Sequence, residues 1–293
     1  MPSLKEIRAR IRSVQTTQQT TKAMKMVAAS KLRRAQDNIV QFRPYARKLK
    51  GLLGNLTAST EGQLSSPYAE ANESNTVLLV LITSNRGLCG AFNNQIIKKL
   101  ARDVETTYAE QAANGKLKLL CIGKRGYDFF RRRSLPLVGQ NHDVFAGISF
   151  ETVNAVASQV MDGYLKGEWG KVVLYYNSFK NVATQIPTAD SFLPVSLENL
   201  EKGSELKTDY IFEPKKEAML TQLIPQILRI QFYASCLESN AAEHGARMVA
   251  MDNATENAQV LIDDLKLKFN KARQAAITNE ILEIVGGAEA LSA

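Results

Sequence analysis

Between Ser239 and Ala258 the chain reads SNAAEHGARMVAMDNATENA, which sets Glu243, His244, Arg247, Asp252, Asn253 and Glu256 in one alanine-rich run. A carboxylate, an imidazole and a guanidinium this close could form an acid–base pair or part of a metal shell. The only other histidine is His142, and neither histidine has an HxxxH partner or an acidic ligand set at suitable spacing. Ser84 and Cys89 could act as nucleophiles, but no histidine lies near them in sequence. The turn SNRGLCGAFN follows an apolar run and could hold a phosphate at a helix N-terminus. Its Gly87 and Gly90 give GxxG rather than GxGxxG, no GK[ST] follows, and GKRG at 123–126 fails the same test. No catalytic residue, metal ligand or cofactor is expected.

Composition narrows the class further. No apolar run is long enough to span a bilayer. The opening MPSLKEIRAR has neither an apolar signal core nor a presequence, so a cytoplasmic chain is expected. Cys89, Cys121 and Cys236 are dispersed, which argues for reduced packing residues. The net charge is +8, yet residues 4–50 alone carry +11. That arm has only Phe42 and Tyr45 as aromatics, so an acidic protein surface suits it better than nucleic acid.

The charges flank two long seams. Positions 4, 7, 11, 14, 18, 21, 25, 28, 32, 35, 39, 42, 46, 49, 53 and 56 are apolar except at Gln18, Thr21 and Lys25. This alternation of three and four is a coiled-coil signature, and Pro44 does not shift its phase, so a kink is expected there rather than an end. A second seam runs from Leu220 to Ala276 and fails at Asn279 and Glu283. Gly286–Gly287 is the expected helix stop. A helix over 214–286 would be about 110 Å long, against about 50 Å for a globule of this chain length. A rod with an attached domain is therefore expected.

The middle supplies that domain. TVLLVLIT, KLKLLCIG and KVVLYYNSF read as buried strands, with helices over 94–113, at RGYDFFRRR and over 150–166, and edge strands in VATQIPTADSFLPV. Such alternation predicts a small α/β domain on a largely parallel sheet. The expected divisions are an N-terminal coiled-coil helix at 1–58, a linker at 59–75, the α/β domain at 76–200, a connecting segment at 201–213, and a C-terminal helix with its tip at 214–293.

Five segments, in this order and spacing, resemble the F-type ATP synthase gamma subunit family over essentially the whole chain. They are LKEIRARIRSVQTTQQTTKAMKMVAASKLRRAQ, SNRGLCGAFN, YIFEP, ARMVAMDNATENA and NKARQAAITNEILEIVGGAEAL. The resemblance implies a mixed fold: a long antiparallel two-helix coiled coil of the N- and C-terminal helices, with an inserted Rossmann-like α/β domain. It implies a central rotor shaft, non-catalytic itself, that couples proton-driven rotation of a c ring to the catalytic beta subunits. The implied partners are three alpha and three beta subunits, an epsilon subunit and the c-subunit ring, with membrane contact only through that ring. The implied location is the cytoplasmic face of a bacterial inner membrane.

Site residues follow by position. The resemblance places Arg273, Gln274 and Thr278 against an acidic lever of beta, with Met24 and Lys25 facing the same region and Arg247 and Glu283 contributing to coupling. Tyr210 and Glu213 would touch the c ring. Where the seam has failed, Ile277, Ile281, Leu282, Ile284 and Val285 would form a single-helix tip against an apolar sleeve. Asn85 stands where the family usually has Asp, and Gly245 where Ala is usual, at about 1 kcal/mol within a helix. The extra cysteine-bearing insertion of chloroplast members is lacking, which disfavours thiol regulation. A coiled-coil adaptor with a ligand-binding α/β domain is the alternative, and a Rossmann-type oxidoreductase the third reading.

Overall fold

A computed structural model describes residues 3–58, 66–70, 72–133, 135–145, 147–195 and 216–292. They fall into two compact units, Met1–Ala28 with Met248–Ala293, and Ala29–Arg247. Two helices run through both: α1 (Leu4–Ala58, 55 residues) and α6 (Lys216–Ser292, 77 residues).

In the first unit the two seams meet. Thr21 Oγ1 lies 2.8 Å from Thr255 Oγ1, Gln18 Nε2 donates to Gln259 Oε1 at 2.8 Å, and Lys25 pairs with Asp252. As one number rises the other falls, so the helices are antiparallel. Ile7 and Ala28 are buried on α1, as are Met251, Ala258, Ile262 and Leu265 on α6, each at a seam position. The three polar interruptions thus face polar partners, which fixes register at some cost in stability.

Two expectations about the helices need comment. Pro44 lies within α1, as its unshifted phase predicted. Its missing N–H leaves the carbonyl of Val40 without that helix partner, and both Val40 and Pro44 are exposed to solvent. The expected stop at Gly286–Gly287 is wrong, because α6 continues to Ser292. Glycine is a poor helix former but keeps its backbone N–H, so it weakens the ladder without breaking it.

The second unit is built on a five-stranded sheet in the order β3-β2-β1-β4-β5. Its strands are β1 (Val77–Ile82), β2 (Leu117–Ile122), β3 (Leu137–Asn141), β4 (Lys171–Phe179) and β5 (Gln185–Leu193). The first four are parallel and β5 is an antiparallel edge. Every residue of β1 is buried, as a strand covered on both faces requires. Leu79, Leu81 and Tyr175 meet Ile96, Ile97 and Leu100 of α2 (Phe92–Thr106) on one face. Leu78, Val80 and Leu174 meet α5 (Phe150–Leu165) on the other, joined there by Ile224, Leu228 and Phe232 of α6.

Two details differ from the sequence pattern, and the short helix expected at RGYDFFRRR is present. LVGQN forms β3, a strand too short and too interrupted by glycine to show an apolar run. The helix expected over 94–113 is two, α2 and α3 (Ala109–Ala113), broken where the Tyr108 side chain turns into the core. Helix α4 (Lys124–Phe130) follows β2 through Gly123, whose φ of 98° only glycine adopts easily.

Candidate coupling and anchoring site

The run at 239–258 divides between the two units, and its first half is anchored in the second. Arg247 Nη1 donates to Glu243 Oε1 at 2.6 Å, with both side chains about nine-tenths buried (12 % and 10 % exposed). Arg247 Nη2 donates to the main-chain carbonyls of Arg86 and Gly87, each at 3.3 Å. The sequence spacing fits an ordinary surface i,i+4 pair, but the structure corrects this: the pair is a buried clamp on the turn after β1. The partners in that turn lie about 160 positions away in sequence, so no local pattern could reveal them.

Burial and charge set the protonation states here. Desolvation raises the Glu243 carboxyl above its ordinary pKa, and the Arg247 guanidinium pulls it back. Burial, then the charges of Arg247 and Lys31, push His244 down to about 4. Its Nδ1 is 3.4 Å from Arg247 Nη1, so the neutral ring can accept from that group. The ring is therefore neutral and only weakly basic at neutral pH, and among the described residues no cluster could hold a metal ion.

The turn is braced from inside. Ser84 Oγ donates to the Arg86 carbonyl at 2.6 Å, and Asn93 accepts from Ser84 N at 3.0 Å while donating to Ser84 Oγ at 2.7 Å. Cys89 and Phe92 pack against Ala242, Ala246 and Phe179. Of the two departures from the pattern that the resemblance implies, one has a physical reason in the structure. Asn85 accepts from Lys124 N at 3.0 Å and donates to the His142 carbonyl at 2.8 Å, and a carboxylate could not make the second bond. A Cβ at Gly245 would stand 3.4 Å from both Phe179 and the Val182 carbonyl, an ordinary contact, so nothing in the packing explains glycine there.

In the first unit the remaining site residues lie on the helix pair. Met24 is half-buried. The Lys25–Asp252 pair leaves its side chains 40 % and 43 % exposed. Arg273, Gln274, Thr278 and Glu283 are exposed, with the Thr278 hydroxyl donating to the Gln274 carbonyl. From Ile277 to Ala288 every residue is exposed, including Ile277, Ile281, Leu282, Ile284 and Val285. Tyr210 and Glu213 lie outside the described residues.

A stripe that the sequence reading missed joins these positions. Val260, Leu267, Gln274 and Ile281 are spaced by seven and exposed, on the side of α6 away from its buried seam. The heptad spacing was visible in the sequence, but only burial distinguishes this outer row from the inner one.

Residues 3–291 match the family model described as ATP synthase. The chain is 51% identical over 294 residues to the ATP synthase gamma chain of Cytophaga hutchinsonii, covering 100% of both. It is 46% identical to the ATP synthase gamma chain of Chlorobium limicola, covering 99% of each. Among solved structures it resembles a chain of the central stalk and c ring of Tetrahymena thermophila mitochondrial ATP synthase. That likeness has 28% identity and a TM-score of 0.58, covering 80% of this chain and 99% of that one.

Proposed function

Because this chain belongs to the ATP synthase gamma chain family, the non-catalytic central shaft of that complex, we propose specific partners for its exposed surfaces. The outer stripe and tip of α6 turn inside a sleeve of three alpha and three beta subunits. Arg273, Gln274, Thr278, Met24 and Lys25 meet an acidic lever of beta, and Glu283 adds to the same contact. Tyr210 and Glu213 stand on a c-subunit ring, an epsilon subunit binds beside them, and the complex sits on the cytoplasmic face of the bacterial inner membrane. Arg247 contributes to coupling by holding the turn at 84–90.

The observation that carries this reading is the stripe itself. The inner seam already satisfies the helix pair, yet Val260, Leu267 and Ile281 present a second apolar row to solvent, 70 %, 63 % and 55 % exposed. A row that costs solubility and serves no internal contact fits an external partner. Rotation then presents different side chains to each of three equivalent neighbours, and only contacts that differ between their states can shift those states.

The test is a Leu267→Asp, Ile281→Asp double variant in the assembled complex, followed in membrane vesicles. A charge forced against an apolar wall is expected to lower ions pumped per ATP hydrolysed at least about twofold, with the chain still in the complex. Unchanged pumping per ATP would reject the sleeve contact.

A further inference from the structure

In open α/β sheets a ligand sits outside the carboxyl ends of the strands, where the strand order reverses. Here the reversal falls between β1 and β4, since the chain adds β2 and β3 on one side of β1 and β4 on the other. That crevice is occupied. Ala242 and Ala246 of α6 pack with Cys89 and Phe92, which follow β1, and with Phe179, the last residue of β4. Gly245 lies against the same hairpin, where a Cβ would already be in van der Waals contact with Phe179 and Val182.

We infer that residues 242–247 of α6 are the resident ligand of this α/β domain, and that Arg247 latches the 84–90 turn closed over them. The polarity of the turn supports this. A phosphate-binding turn offers N–H groups. This one offers the carbonyls of Arg86 and Gly87, which suit a cation, and the Ser84 N–H is already taken by Asn93. The occupant supplies that cation as Arg247, with Glu243 holding the guanidinium from the other side.

The turn also carries strain. Leu88 has φ 62° and is 64 % exposed, a left-handed conformation that costs a non-glycine residue free energy and persists when its surroundings hold it. Here it is held by the two latched carbonyls on one side and buried Cys89 on the other. Release of Arg247 therefore opens this turn before any other part of the sheet. The inference concerns only contacts within the second unit, and so it stands or falls independently of the sleeve contact.

Cys89 provides the readout. It is 2 % exposed, beneath the latch, while Cys121 and Cys236 are 0 % exposed elsewhere in the core. Burial raises all three thiols, so each resists alkylation while its surroundings stay closed. The experiment labels the assembled complex with N-ethylmaleimide and maps the modified peptides of this chain. In Arg247→Ala, Cys89 is expected to react at least about tenfold faster than in the unaltered chain, with Cys121 and Cys236 unchanged. Arg247→Lys keeps the charge but not the fork that spans a carboxylate and two carbonyls, and is expected to accelerate Cys89 by a smaller factor. Gly245→Val, which wedges the helix from Phe179 with Arg247 intact, is expected to expose Cys89 as well. Cys89 remaining slow in both Arg247 variants overturns the latch. A parallel rise of all three cysteines also overturns it, because the pair would then support the whole core rather than one turn. Should Arg247→Ala fail to enter the complex, the Arg247→Lys and Gly245→Val rates decide by the same criteria.

Discussion

Two cation–carboxylate pairs of nearly equal length carry different weight in this molecule. Lys25–Asp252 closes at 2.5 Å across the helix pair of the first unit, and Arg247–Glu243 at 2.6 Å within the second. The first keeps its side chains 40 % and 43 % exposed, the second only 12 % and 10 %. Distance is thus no guide to their worth. Water competes for the first pair and screens it, whereas the second has given up its hydration and depends on every hydrogen bond around it.

The sharpest way to break this comparison is to remove one member of the buried pair. Arg247→Met is expected to cost the local structure about 3–5 kcal/mol, since Glu243 is left desolvated and unpaired. Amide exchange across residues 84–93 measures the loss. Replacing both members, Glu243→Leu with Arg247→Met, is expected to recover part of it, because no orphan charge remains. A double variant as damaged as the single one would show that the carbonyl contacts matter more than the charges.

A smaller effect tests the electrostatics of the same cluster. The folded pKa of His244, about 4, lies below its ordinary 6.5, so between these values the unfolded chain binds more protons. His244 therefore costs nothing above pH 6.5 and destabilises progressively as pH falls from there towards 4. Glu243, whose pKa is raised, works in the opposite sense, so the measurement is a difference between the unaltered chain and His244→Gln, with Glu243, Arg247 and Lys31 present in both. On acidification from pH 7 to pH 5 the unaltered chain is expected to lose about 1–2 kcal/mol of protection at 84–93 relative to the variant, after allowing for solvent at the ring. Parallel pH profiles would remove His244 from the cluster.

The smallest expected change is at the exposed pair. Lys25→Gln is expected to shift stability by no more than about 1 kcal/mol, with the difference vanishing as salt is raised. Thermal unfolding of the complex at two ionic strengths would check it. A large, salt-insensitive loss would mean that Lys25 and Asp252 form a buried tie like their counterpart.

The sequence reading succeeded where structure is written at a short, repeating distance. Every seam position from Ile7 to Leu49 and from Ile227 to Leu265 is buried or half-buried, although between 227 and 250, where α6 packs on the sheet domain, only Gln231 is exposed and burial no longer singles out the seam. The strands at 77–82, 117–122 and 171–179 were legible because burial on both faces demands a predominantly apolar run. What escaped was decided by contacts distant along the chain. Arg247 meets Arg86 across 161 positions, and Gly245 meets the β4–β5 hairpin. Asn85 bridges to His142, 57 positions on. At Arg247 and Asn85 the residue type looked like chemistry or like an anomaly, and the distant hydrogen-bond partners supplied the reason.

The continuation of α6 through Gly286 and Gly287 has a mechanical consequence. Apart from the helix's own neighbouring backbone, no atom lies within 4 Å of where either Cβ would be, so among the described residues nothing outside the helix reinforces those two. Together they cost about 2 kcal/mol relative to alanines. The helix therefore melts first at this point, and the turns beyond it behave as a detachable cuff. Amide exchange should rise abruptly from Gly286 onward in the chain alone and slow once something grips the end. The working length of α6 is then set by its surroundings rather than by its own sequence.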